Sequence, residues 1–135
     1  MNDLITVGAC ETQPMTAEGL AALLRDYPEY RFMGAVNTLD RAAEMLHREQ
    51  PRILIVDKAF GVQVVLEWVA QRRSVPQNGS GAARPETAIV VWGLSISEAE
   101  ALRFLQIGAK GIIRKTADRA ALMACLSAVS HGTSW

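Results

Sequence analysis

Residues 51–61 read Pro51-Arg52-Ile53-Leu54-Ile55-Val56-Asp57-Lys58-Ala59-Phe60-Gly61. Four branched apolar residues run directly into an aspartate. A continuous apolar run of this length, opened by proline, predicts a strand buried on both faces. A carboxylate is costly inside a core, but the carboxyl ends of strands in an open parallel sheet face the crevice where ligands bind. Asp57 therefore reads either as a solvated turn aspartate, a common use of this residue, or as the reactive group of a site.

Working outward, residues 4–9 predict a first strand and 10–13 a loop. Pro14 suits the first turn of a helix, which carries Leu20, Leu23 and Leu24 on one side. Residues 31–37 predict a second strand, and Thr38 caps a helix over 39–49, ended by Pro51. Beyond Asp57 come a helix over 62–73, a flexible surface loop at 74–86 rich in Pro and Gly, and a fourth strand at 87–92. Ser97, with Glu98 and Glu100 behind it, opens a helix that Gly108 stops. Residues 111–113 make a short fifth strand. Asp118 caps the last helix, whose Leu122, Cys125, Leu126 and Val129 follow helical spacing. Five strands alternating with five helices predict one α/β domain over residues 1–135. The flavodoxin-like, doubly wound parallel sheet of order 2-1-3-4-5 fits this length.

The chain has 135 residues, half of them hydrophobic, with fourteen basic and fourteen acidic side chains. A formal net charge of zero gives this chain no electrostatic case for gripping nucleic acid or a membrane surface. No run approaches the ~20 apolar residues of a membrane span, and the N-terminus lacks the pattern of a signal peptide. Cys10 and Cys125, far apart, read as buried reduced thiols of a cytoplasmic protein. His47 and His131 have no partner at ligand spacing. There is no G-x-G-x-x-G, Walker loop, G-x-S-x-G or D-x-H-x-x-G pattern, so a small enzyme or cofactor binder on the same fold is the remote alternative.

On the expected sheet, Glu11, Thr12, Asp57 and Lys115 converge at one edge from the ends of strands one, three and five. Acids with one lysine can hold magnesium, which takes oxygen ligands, and an oxyanion, which lysine neutralises as a point charge. Asp57 would be the nucleophile, as carboxylates are in aspartyl-phosphate chemistry.

Three stretches, A-C-E-T-Q-P-M-T-A-E-G-L, P-R-I-L-I-V-D and G-A-K-G-I-I-R-K, together resemble the receiver domain of a response regulator. The likeness runs over residues 4–132 and has the flavour of receivers that precede a LuxR/NarL-type helix-turn-helix domain. It implies a two-component transcriptional regulator phosphorylated by a histidine kinase. Asp57 matches the phospho-acceptor, Lys115 the phosphoryl-binding lysine and Glu11 the first paired acid. The Ala59 backbone carbonyl matches a magnesium ligand. Residues 131–135 match the start of a linker to a DNA-binding domain outside this chain.

The departures from that pattern matter as much. Thr12 stands where the second acid, a direct metal ligand, is expected, so magnesium binding should be weak. Gly93 replaces the hydroxyl-bearing switch residue, Ile112 replaces the switch aromatic, and Lys58 follows the acceptor. The expectation is therefore a receiver that responds weakly to phosphate or works without it; a stand-alone pseudo-receiver interaction module is the alternative. A weak homodimer is expected through Ala121, Ala124 and Ala128 on the last helix. Phe104 is read as an interface aromatic lying beside the inward pair Leu102 and Leu105.

Overall fold

The computed structural model describes residues 4–72 and 86–135. The strands are β1 (Ile5–Cys10), β2 (Tyr30–Val36), β3 (Ile53–Asp57), β4 (Ala88–Gly93) and β5 (Gly111–Arg114). The helices are α1 (Pro14–Leu24), α2 (Leu39–Arg48), α3 (Val62–Gln71), α4 (Glu98–Ile107) and α5 (Arg119–Ser130), and Lys58–Phe60 form one 3-10 turn after β3. All strands pair in parallel, in the order β2-β1-β3-β4-β5. This is the flavodoxin-like arrangement expected from the alternation of elements. The loop expected at 74–86 falls, but for Glu86, outside the described residues.

Strand ends differ by one residue from the sequence reading at several places. The most consequential is β1, which runs through Cys10, so Glu11 is the first residue beyond the strand. Helix starts fall where their caps predict. Thr38 Oγ1 accepts from Arg41 N at 3.1 Å, and Asp118 Oδ1 from Ala121 N at 2.8 Å. Ser97 and Glu100 form a reciprocal capping box, with both bonds at 3.1 Å; it satisfies two backbone donors that a helix start leaves without partners.

The central strand is buried on both faces: Ile53, Leu54, Ile55 and Val56 are all fully inaccessible. Strand periodicity sends Ile53 and Ile55 to one side, against the α1 and α5 residues Leu24, Cys125 and Leu126. Leu54 and Val56 go to the other, where Met45, Val65, Val69 and Phe104 of α2, α3 and α4 pack. Two apolar layers thus clamp the sheet and hold its carboxyl edge in register.

α4 is rotated from the expected setting. Phe104 is wholly buried, whereas Leu102 is 56% exposed. Phe104 is therefore a core residue of its own protomer, not an interface aromatic. The expected inward placement of Leu102 is corrected with it. On α4 it is Phe104 that enters the buried layer, with Ile107 packed partly buried against it. In α5 the stripe Leu122, Cys125, Leu126 and Val129 is buried as expected. It leaves Ala124 exposed and Ala121 and Ala128 half-buried.

Candidate functional site

The carboxyl ends of β1, β3 and β5 bring four of the expected residues together. Asp57 closes β3, Glu11 and Thr12 follow β1, and Lys115 follows β5. A backbone bond from Lys115 N to Gly93 O, 2.8 Å, ties the exit of β5 to that of β4. Asp57 and Glu11 are both buried, at 0% and 3% exposure. Such charges persist only when paired and hydrogen-bonded, and here they are. The Lys115 ammonium lies 2.9 Å from Glu11 Oε2 and 3.1 Å from Asp57 Oδ2.

The remaining lone pairs are largely taken. Asp57 Oδ2 also accepts from the Thr12 hydroxyl at 2.5 Å and the Thr12 amide at 3.1 Å, whereas Oδ1 accepts only the Ala59 amide, at 2.9 Å. Oδ1 is thus the less encumbered oxygen. Burial opposes the charge on Asp57, but the bonds from the Thr12 hydroxyl and the Ala59 amide outweigh it and hold the carboxyl down to about 2. Burial pushes Glu11 up, against the pull of Lys115. The Cys10 thiol, buried beside these acids, is pushed up to about 12 by burial and then by the charges of Asp57 and Glu11. It stays protonated and unreactive.

Trp92 belongs to the site as well. Its indole N–H donates to Glu11 Oε1 at 2.9 Å, and the Lys115 ammonium stands 5.5 Å from its ring centroid. The signal that finds it is strand register. Trp92 pairs with Asp57 across β3 and β4, so the two residues share a face of the sheet.

The altered positions have definite surroundings. Gly93 is the last residue of β4 and Ile112 is half-buried on β5. Lys58 turns away from Asp57: its ammonium donates to the Ser95 carbonyl and to Glu100 Oε1, the latter at 2.9 Å. Asp57, Lys58, Gly93 and Lys115 line a cleft of about 170 Å³.

These donors fit a hard divalent cation poorly. Glu11 has both oxygens engaged, by Trp92 on one side and by Gln13 N and Lys115 on the other. The Thr12 hydroxyl is spent as a donor to Asp57. Lys115 already supplies positive charge between the two acids. Among the described residues no three His, Cys, Asp or Glu side chains gather as a metal site.

No protein-family model matches the chain, and no curated protein matches it in sequence. Solved structures do. A LuxR-family two-component response regulator from Aurantimonas sp. aligns with a TM-score of 0.78 at 21% identity, over 98% of this chain and 89% of that one. The isolated REC domain of RcsB from Salmonella enterica serovar Typhimurium, in its apo form, gives 0.80 at 17% identity, over 97% and 91%. A LuxR-family DNA-binding response regulator from Silicibacter pomeroyi gives 0.71 at 17%, over 96% and 93%. The chain has the fold of these domains. Among the described residues, no helix is long and apolar enough to cross a membrane.

Proposed function

We propose that the chain is a receiver domain of a LuxR/NarL-type transcriptional response regulator, with an acceptor aspartate that is present but restrained. The observation that carries this reading is Asp57. It closes the central strand of a 2-1-3-4-5 sheet, with Lys115 3.1 Å away from the end of β5. In phosphoryl transfer Asp57 Oδ1 would attack phosphorus as the bond to the donor's leaving group breaks. Lys115 would neutralise a phosphoryl oxygen. The restraint is equally concrete: Oδ2 accepts from the Thr12 hydroxyl and amide and stands 3.1 Å from the Lys115 ammonium, and these donors draw charge from the carboxylate. The donor would be a histidine kinase. DNA would be contacted through a domain outside this chain, whose formal net charge is zero.

The test is intact-mass analysis after treatment with a small phosphodonor and magnesium. Slow, substoichiometric labelling, lost in Asp57→Asn, is the expected result. Rapid, complete labelling would overturn the restrained reading, and labelling elsewhere would overturn the acceptor. Magnesium itself should bind weakly. Thr12→Asp should tighten it roughly tenfold, because a charged oxygen ligand replaces a hydroxyl. Calorimetric titration checks this, and unchanged affinity would show that Thr12 is not at the metal position.

One route to regulation without phosphate is a dimer equilibrium of the resting state. We assign a weak twofold dimer to the small-residue face Ala121, Ala124 and Ala128 of α5, without Phe104. Sedimentation of unphosphorylated protein should show a concentration-dependent dimer, and Ala124→Glu should abolish it. A dimer untouched by that change would place the interface elsewhere.

A further inference from the structure

We propose that Lys58 is a latch that fastens the loop between β4 and α4 to the carboxyl end of β3. Its bearing on signalling rests on the receiver reading above; the latch itself does not. Lys58 opens the 3-10 turn, whose backbone is closed by Gly61 N donating to Lys58 O at 2.9 Å. The side chain then crosses the end of β4 over Gly93. A Cβ added at Gly93 would stand 3.1 Å from Lys58 Cβ and 3.5 Å from Lys58 Cε. The glycine is thus explained by close approach rather than by backbone conformation. Any side chain at position 93, a hydroxyl-bearing one included, competes with the lysine stem for the same space.

Beyond Gly93 the ammonium meets the Ser95 carbonyl and Glu100 Oε1. Glu100 is the same carboxylate that accepts from Ser97 N in the capping box of α4. One acid therefore both starts the helix and receives the lysine, so the loop is tied at its middle and at its end. A lone pair at this exposure, 17% for Lys58 and 29% for Glu100, would contribute little. This one differs because the ammonium has a second, main-chain acceptor and the stem packs against Gly93. None of the groups that hold the loop is Asp57. Asp57 touches the latch through the turn it caps, where Oδ1 accepts the Ala59 amide at 2.9 Å; Asp57→Asn keeps that acceptor.

Amide hydrogen exchange on the whole unmodified chain tests this, read at Ser97, Glu100 and Ala101. Lys58→Met keeps the stem and removes the ammonium. Glu100→Gln keeps the capping box and removes the charge. Lys58→Met is expected to speed exchange at these amides about tenfold, Glu100→Gln by less, and Asp57→Asn by no more than about twofold. Unchanged exchange in Lys58→Met overturns the latch, as does an Asp57→Asn effect equal to it. Should Lys58→Met fail to fold, Glu100→Gln decides: faster exchange supports the latch and unchanged exchange overturns it. No phosphodonor enters this experiment, so its failure is separable from a failure of Asp57 labelling.

Discussion

Lys115→Met is expected to lower stability at pH 7 by about 3–5 kcal/mol, the cost of removing one partner from a buried ion pair. Lys115 is 7% exposed at its side chain, and the Glu11 and Asp57 side chains are inaccessible. The deficit should depend on pH in a definite direction. The folded pKa of Asp57 lies below its ordinary 3.8. Its contribution is therefore present above that value and lost as pH falls towards 2. Glu11 is raised above its ordinary 4.5. Its effect has the opposite sign, favouring the fold at low pH and fading as pH rises through the folded value. Without Lys115 both acids shift upward, so the variant's deficit should be greatest at neutral pH and shrink as both become protonated. Urea denaturation at several pH values measures this. Adding Asp57→Asn to Lys115→Met should restore much of the loss, since one unpaired charge is removed. A deficit under about 0.5 kcal/mol at pH 7, the scale of ordinary surface changes, would mean that the acids are not dependent on Lys115.

That cluster was largely legible in the sequence, because it depends on strand ends. The run Ile53–Val56 announces the buried central strand, and the alternation of elements fixes which ends lie together. Glu11, Asp57 and Lys115 follow from topology alone, and the structure brings all three within one hydrogen-bonded group. Trp92 needed one further step, the β3–β4 register that sets it opposite Asp57. The Lys58–Glu100 contact joins residues 42 apart in sequence. Its direction is set by the missing side chain at Gly93, and no local pattern encodes that. By residue type Thr12 is a weak metal ligand. Its bond to Asp57 Oδ2 shows a use that residue type alone does not reveal: a hydroxyl can donate where a second carboxylate cannot.

The rotation of α4 is where local pattern was least informative, and it gives the other large expected effect. The sequence 98–107, E-A-E-A-L-R-F-L-Q-I, fixes the ends of the helix through Ser97, Glu100 and Gly108. It offers Leu102, Phe104, Leu105 and Ile107 as competing apolar choices around the axis. Phe104 takes the central place, in the layer with Val65, Val69, Val91 and Ala109. Phe104→Ala should therefore cost about 3–5 kcal/mol, combining lost transfer energy with the cavity left behind. Leu102→Ala, at a side chain 56% exposed, should change stability by less than about 0.5 kcal/mol. Parallel denaturation of the two variants measures the contrast directly. Equal effects would return α4 to the rotation in which Leu102 faces the sheet. Phe104 would then be free for a partner, and the latch geometry at Glu100, on the same helix, would have to be redrawn.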